Sequence, residues 1–359
     1  MLVFKFSQKC LRGECIMIRI GIFGATGYVG LSLMTLLKNH KEAEVVFGHS
    51  NNYAGKMYKE IFRGCNSELI LSTFDQCIDK LKDVDVVFLA LPHGISFKVV
   101  EEAMKYNVKV IEMGGDYRLD DPLEYEKLYG VKHTSLEYLK EAVYGLPEIN
   151  KDKIKGARVL ANPGCYATAS SLGLLPIINA GLCDTKTIVV DGKSGTSGAG
   201  RGGAVDNIFS EINENFKAYK VGCHRHTPEI EQVLNTKSKS EVKLTFVPQL
   251  VPMTRGILIT AYVDLTSDIK EEEIFDLYKE FYKDAKFVEV VEDVPQTKWS
   301  KNTNMAYISV RKDSRTNKLI IISVIDNLVK GAAGQGIQNM NIMFGLPEET
   351  GLDDLAVLP

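Results

Sequence analysis

The run IRIGIF at 18–23 is a short apolar segment that stops at Gly24-Ala25-Thr26-Gly27-Tyr28-Val29-Gly30. A helical pattern follows at once through Leu31, Leu33, Met34, Leu36 and Leu37, ending near Asn39. Strand, glycine turn and helix in this order make a phosphate-binding turn. The glycines permit a tight bend and close backbone approach, and the helix N-terminus offers N–H groups and the positive end of its dipole. The spacing is G-x-x-G-x-x-G, so the alternative is an ordinary strand-to-helix connection. If it binds a dinucleotide, the backbone N–H groups of Thr26, Gly27, Tyr28 and Val29 are expected to hold the pyrophosphate.

Further strands are predicted at 45–48, 84–91, 108–113 and 158–161, with a helix over 96–107. Apolar strands alternating with helices predict a parallel sheet covered on both faces. Its loops carry Pro92-His93-Gly94, Gly114-Gly115-Asp116 and Asn162-Pro163-Gly164. These loops stand at strand carboxyl ends, where open α/β sheets bind ligands. Beyond residue 165 the pattern changes to one helix followed by β-rich runs at 187–191, 242–250, 256–265, 287–291, 304–310 and 319–326. The last two are joined by a predicted hairpin turn. The fold class is therefore α/β: a Rossmann-type dinucleotide-binding domain plus an α+β catalytic and oligomerisation domain with a mostly antiparallel sheet. The domains are expected over 17–163 with 330–359, and over 164–329. Residues 1–16 carry Lys5, Lys9 and Arg12 against Glu14 and read as an extension upstream of the fold, or as a weak targeting segment.

The 359 residues balance 43 basic against 46 acidic side chains, a net charge of −3, which leaves no electrostatic footprint for nucleic acid or an anionic membrane. No apolar run reaches the ~20 residues of a membrane span. Seven cysteines without a Cys-x-x-Cys pair argue against zinc ribbons and disulfide scaffolds. No metal is expected, and unpaired thiols suit a reducing cytoplasm.

Of these cysteines, Cys165 stands apart. It follows Asn162-Pro163-Gly164 and opens an apolar helix, where the dipole favours thiolate over thiol. The alternative is a buried structural thiol. Among six histidines, His40 and His133 sit among charged residues and are expected at the solvated surface, while His49 and His93 end predicted strands and suit cofactor contact. His224 and His226 flank Arg225 before Thr227-Pro228, a helix start with proline at its first position. In an extended segment the two would face the same side. One or both could therefore reach Cys165, and one could instead cap the helix. His226, nearer the helix, is the one expected to be tied to local structure, which leaves His224 as the acid/base. The glycine-rich run 193–203 could cradle an anion or serve as a flexible link. The small residues and amides of 326–339 suit either a planar ligand or close helix packing. A helix-capped thiol, a histidine and a dinucleotide fold together suggest thioester formation coupled to hydride transfer.

Eight segments resemble, in order, the N-acetyl-γ-glutamyl-phosphate reductase family of the semialdehyde dehydrogenase superfamily. They are GIFGATGYVG (21–30), LALPHG (89–94), GGDYRL (114–119), YGLPE (144–148), NPGCYAT (162–168), DGKSGTSGAGR (191–201), HRHTPEI (224–230) and DNLVKGAAGQGIQNMN (326–341). The resemblance implies reduction of an acyl phosphate substrate, N-acetyl-γ-glutamyl phosphate, by NADPH. It places the nucleophile at Cys165, the acid/base at His224, and the substrate end at Arg118 and Asn162. Cofactor contacts are expected from Gly24, Thr26, Gly27, Tyr28, Val29, Ser50, Pro92, Ser197, Gly198 and Asn327. A homo-oligomer, dimer or tetramer, assembled through the sheet of the second domain is also implied. Two departures stand out. His49-Ser50-Asn51-Asn52 lacks the arginine often found near the adenosine ribose, yet also lacks the acid that would select a 2′-hydroxyl, so NADP remains the expected cofactor. Gly336 replaces a common alanine, a change expected only to loosen a helix. The competing readings are the same chemistry on a carrier-bound aminoadipyl phosphate, and a non-catalytic dinucleotide-binding redox sensor.

Overall fold

The computed structural model describes residues 17–202, 205–352 and 356. The expected extension 1–16, with Cys10 and Cys15, and Gly203 of the glycine-rich run lie outside the described residues. The chain divides into two compact units, one running to Pro163 and resuming at Ala332, the other spanning Gly164–Gly331.

The first unit is built on a seven-stranded sheet. Its strands are β1 (Ile18–Phe23), β2 (Ala43–His49), β3 (Leu71–Ser72), β4 (Val86–Leu89), β5 (Lys109–Glu112), β6 (Val143–Tyr144) and β7 (Val159–Ala161). Their order is β3-β2-β1-β4-β5-β7-β6 and every pairing is parallel. The near-continuous burial of Ile20, Ile22, Phe23, Val86–Leu89 and Val110–Glu112 is what a sheet covered on both faces demands. The chain order reverses between β1 and β4, which opens a crevice beside the β1 carboxyl end. Two helices frame that crevice, α1 (Tyr28–Leu37) after β1 and α2 (Ser96–Lys105) after β4. The C-terminal helix Gly334–Phe344, buried along its whole length, packs on α1. Gly336 does more than loosen this helix, since a Cβ at this position would stand 3.2 Å from Met113 and from Phe88, close enough that those side chains would have to shift.

The second unit holds another seven-stranded sheet: β8 (Ile188–Ser194), β9 (Lys217–Ala218), β10 (Leu244–Leu250), β11 (Ile257–Asp264), β12 (Val288–Val290), β13 (Ala306–Asp313) and β14 (Lys318–Ile325), in the order β12-β13-β14-β11-β8-β10-β9. Two pairings, β8 with β10 and β12 with β13, are parallel and the rest antiparallel, so the sheet is mixed. One face carries α3 (Cys165–Ala180) and α5 (Glu271–Phe281); α4 (His226–Asn235) packs on α3. Helix α3 is buried at every position from Tyr166 to Ile178, as a helix apolar all round must be. Pro176 within it cannot donate to the Leu172 carbonyl. The Tyr282 hydroxyl bonds that carbonyl instead at 2.5 Å, and Tyr278 bonds the neighbouring Gly173 carbonyl at 2.9 Å. The proline is thus accommodated without an orphaned carbonyl, and α3 delivers Cys165 at its first turn.

Candidate active site

In the first unit the glycine turn is locked to the end of β2. Gly24 takes φ +82°, which a side chain would oppose, and its N–H donates to His49 Nδ1 at 3.2 Å. A Cβ on Gly30 would lie 2.3 Å from the Gly24 carbonyl oxygen, so the third glycine is set by helix–turn contact. Gly27 differs: nothing stands closer than 3.6 Å to where its Cβ would be. Its N–H donates back to Gly24 at 3.1 Å. Gly27 thus turns the chain, and Tyr28 and Val29 open α1, where N–H groups have no acceptor within the helix. The hydroxyls of Thr26 and Ser50 are 2.9 Å apart, and His49 Nε2 lies 2.9 Å from Asn51 Oδ1. Because His49 Nδ1 accepts, the ring proton sits on Nε2, and burial holds the pKa of this histidine below its ordinary value.

Two neighbouring cavities open beside this turn. One, of about 180 Å³, is lined by Gly24, Thr26, Ser50, Asn51 and Pro92, among others. The second, of about 410 Å³, shares His49, Asn51 and Pro92 and continues to Phe74, Gly94 and Lys98. Polar groups and a glycine bend at one end and an aromatic ring at the other fit a dinucleotide's phosphate and adenosine portions. Gly24, Thr26, Ser50 and Pro92 of the expected set therefore line one cleft. Lys98, whose ammonium lies 5.2 Å from the Phe74 ring centroid, was missed from the sequence, where it is one more polar position on a helix.

Arg118 and Asn162 are also brought together here, with much of their hydrogen bonding directed to protein. Arg118 donates from Nε to the Asn162 carbonyl and from Nη2 to the Met113 carbonyl, both at 2.7 Å. Asn162 donates to the Ala332 carbonyl at 3.1 Å and accepts from Asn339 at 3.1 Å.

In the second unit Cys165 is the first residue of α3, after Gly164 at φ −70° and ψ 150°. The Gly164 N–H donates to buried Glu229 at 2.9 Å. Glu229 Oε2 lies 4.0 Å from His226 Nε2, and a Cβ on Gly164 would stand 2.4 Å from that same nitrogen. Gly331 is equally constrained, since its Cβ would meet Cys165 Cβ at 2.8 Å. The thiol-bearing turn is thus walled by two residues that must lack side chains. The two histidines do not share an extended segment as expected: His226 already belongs to α4, and Pro228 is its third residue. Helix formation rather than strand geometry brings the rings together, at 4.8 Å between centroids. His224 Nδ1 accepts the His226 N–H at 3.1 Å, which leaves the ring proton on Nε2. Tyr166, Tyr219 and Phe246 pack edgewise on His224 at 5.7, 5.6 and 5.3 Å. Burial first, then Arg225 and Lys220, push its pKa down to about 3. The Tyr166 and Tyr219 hydroxyls share a hydrogen bond and both feel the charge of Cys165. Burial holds both phenols above their ordinary range, Tyr219 at about 12.

Ser197, Gly198 and Asn327 also converge. Asn327 donates to Ser197 Oγ at 2.9 Å and accepts the Gly256 N–H at 2.8 Å, and Gly198 lies against them. The glycine-rich run is therefore partly structured: β8 extends to Ser194 and a short 3₁₀ turn covers Thr196–Ala199. Among the described residues no cluster of His, Cys, Asp and Glu is placed to hold a metal ion, and no helix is long and apolar enough to cross a membrane.

A parallel nucleotide-binding sheet and a mixed-sheet unit that opens on a helix-capped thiol agree with the families the chain matches. Residues 19–157 match the semialdehyde dehydrogenase NAD binding domain, and residues 165–327 match the semialdehyde dehydrogenase dimerisation domain. Among solved structures, aspartate semialdehyde dehydrogenase II of Vibrio cholerae superposes with a TM-score of 0.70 at 18% identity, covering 91% of this chain and 98% of its own. The Candida albicans aspartate semialdehyde dehydrogenase with NADP gives 0.68 at 17%, over 91% and 98%. At these identities the likeness shows the fold. Closer in sequence is the N-acetyl-γ-glutamyl-phosphate reductase of Clostridium novyi, 48% identical over 94% of this chain and 98% of that protein. The Campylobacter jejuni enzyme of the same name is 43% identical over 95% and 99%. The chain belongs to the semialdehyde dehydrogenases and, among them, to the N-acetyl-γ-glutamyl-phosphate reductase family.

Proposed function

We propose that this protein reduces N-acetyl-γ-glutamyl phosphate to N-acetylglutamate semialdehyde, releasing phosphate, with Cys165 as nucleophile. The observation that carries the chemistry is Cys165 at the first position of a sixteen-residue helix whose next residue, Tyr166, packs edgewise on the neutral, proton-bearing imidazole of His224. The thiolate, favoured by the helix dipole, attacks the acyl carbon; the C–S bond forms, and the carbon–oxygen bond to phosphate breaks with its electron pair leaving on phosphate. Bound NADPH supplies the hydride that reduces the resulting thioester. His224 donates a hydrogen bond from Nε2–H to the oxygen on which negative charge then develops. Collapse of that oxyanion breaks the C–S bond and returns the electron pair to Cys165 as thiolate. Sulfur therefore cycles as thiolate, and His224 stays neutral throughout. His226 and Glu229 are positioning residues that fix the Gly164–Cys165 turn.

The cleft beside Gly24 takes the cofactor. Tyr28 and Val29 N–H groups would hold the pyrophosphate, Thr26 and Ser50 would take the ribose side, and Asn51 with Lys98 would take the 2′-phosphate. The aspartate semialdehyde dehydrogenase of Candida albicans was solved with NADP, which supports that choice. Ser197, Gly198 and Asn327 are assigned to cofactor contact as well, and Arg118 and Asn162 to the substrate. The enzyme works in the cytoplasm as a homo-oligomer, a dimer or a tetramer, assembled through the sheet of the second unit. Half-buried Leu258, Ile320 and Ile322, with exposed Tyr262, on the sheet face opposite α3 support that assembly, as does the matched dimerisation domain.

The test is phosphate-dependent reduction of NADP with N-acetylglutamate semialdehyde, the reverse reaction, with the aminoadipyl semialdehyde analogue run beside it. Turnover with the acetylated glutamate substrate is expected. Turnover only with the aminoadipyl compound, or with neither, refutes the proposal.

A further inference from the structure

Glu112 ends β5 fully buried, on a strand otherwise made of Lys109, Val110 and Ile111. Its carboxyl group meets four donors. Oε1 accepts the Gly114 N–H at 2.6 Å and the Ser96 hydroxyl at 3.2 Å. Oε2 accepts the Gly115 N–H at 2.8 Å and the Asp116 N–H at 3.1 Å. An ionised carboxylate satisfies all three backbone N–H groups with both oxygens as acceptors, whereas protonation would turn one oxygen into a donor facing N–H groups. The turn at 114–116 is thereby folded around one side chain. Its last residue, Asp116, accepts the Gly94 N–H at 2.9 Å and the Tyr125 hydroxyl at 2.9 Å. Gly94 and Pro92 line the cofactor cleft. Two residues beyond Asp116, Arg118 holds the Asn162 carbonyl.

We propose that Glu112 is a positioning residue: its carboxylate sets the 114–116 turn and, through Asp116, the 92–94 loop of the cofactor cleft, so cofactor affinity depends on Glu112 being ionised. The proposal rests on the cofactor reading above and adds a residue that touches neither cofactor nor substrate.

The charges around it give the dependence its sign. Asp116 on the same loop opposes ionisation, and Arg118 favours it. Tyr117 and Tyr125 feel the Glu112 charge; His93 lies 3.5 Å from Asp116, and His133 bonds the Asp116 carbonyl at 2.8 Å. Burial, with Asp116 second, wins over Arg118 and the N–H groups, so Glu112 takes up its proton well above the ordinary glutamate range. Once protonated, one oxygen presents a donor to N–H donors and a strand-end turn loses an acceptor. Cofactor affinity therefore falls as pH falls.

The test is NADPH affinity by fluorescence titration between about pH 5 and pH 8.5, on wild type, Glu112→Gln, Glu112→Asp and Asp116→Asn. Wild-type Kd is expected to rise on the acid side. Glu112→Gln places an amide –NH₂ against the N–H donors and should bind about tenfold more weakly at the alkaline end, with little pH dependence left. Glu112→Asp keeps the charge and should restore the pH dependence. Asp116→Asn removes the opposing charge and should move the inflection to lower pH, whatever its effect on Kd. A folded Glu112→Gln with wild-type affinity and pH profile overturns the proposal; if that variant fails to fold, an unmoved inflection in Asp116→Asn does so. Failure of wild type to bind NADPH at all would refute the cofactor reading instead, whereas wild-type binding that ignores pH refutes only the role of Glu112.

Discussion

The neutral state of His224 has a consequence that kinetics can read. Its pKa of about 3 means that at pH 7 about one molecule in 10⁴ carries an imidazolium. An imidazolium proton donor would then forfeit nearly the whole catalytic benefit of about 10²–10⁴-fold that general acids supply. A neutral Nε2–H donor suffers no such loss, and removing a single oxyanion donor costs about 10²–10³-fold in kcat. His224→Asn is therefore expected to lower kcat by at least about a hundredfold, with cofactor Kd unchanged. His226→Asn should act mainly on stability and substrate KM. The assay is steady-state reduction across about pH 5.5 to pH 8.5, with folding checked by thermal melts. In wild type no rate limb should belong to His224. A limb near pH 6.5 that vanishes in His224→Asn would show an imidazolium at work and refute the neutral-donor mechanism; a larger kcat loss in His226→Asn would move the donor to that residue. The same depressed pKa predicts a stability effect: the folded state resists protonation, so stability is lost as pH falls below the ordinary value of 6.5 toward about 3.

Three further variants test single contacts. Gly27→Val should raise the cofactor KM strongly while leaving the melting temperature nearly unchanged, because space is open at that Cβ and the pyrophosphate is what would fill it; an unchanged KM would remove the phosphate from this turn. Gly164→Ala is allowed by its backbone angles but drives a methyl into the His226 ring. It should lose about 1–3 kcal/mol of stability and most activity, and a wild-type melt with full turnover would contradict the packing. Lys98→Met should weaken NADPH binding more than NADH binding, and an equal effect on both would exclude contact with the 2′-phosphate.

Much of this site is legible in the sequence because local rules decide it. The apolar run before Gly24 and the helix after it follow from pattern and turn chemistry, and β1 begins and ends where the run does. Cys165 at a helix start likewise follows from Asn-Pro-Gly before an apolar stretch. Where pairing between distant segments decides, the sequence is silent. Strand β8 continues to Ser194 because β10 and β11 pair with it on both sides, although Gly192 and the glycines beyond read locally as loop. His226 joins α4 two residues before Pro228, so the two histidines approach through a helix turn rather than along a strand. Glu112 gives no local signal at all: it is one acid closing an apolar strand, and only the fold of the 114–116 turn around its carboxylate shows its use. Arg118 is singled out by resemblance alone, and its hold on the Asn162 and Met113 carbonyls is a tertiary fact. So is the burial of His40 and His133, which read locally as solvated surface but bond Asn341 and the Asp116 carbonyl inside the fold.

Covalent catalysis by Cys165 is tested most directly by mass mapping of the protein after brief exposure to N-acetyl-γ-glutamyl phosphate without NADPH. An acyl adduct is expected on Cys165, formed with release of phosphate, discharged when NADPH is added, and absent from Cys165→Ala, which should also lack turnover. An adduct on another residue, or near-normal turnover in Cys165→Ala, would contradict the thioester mechanism.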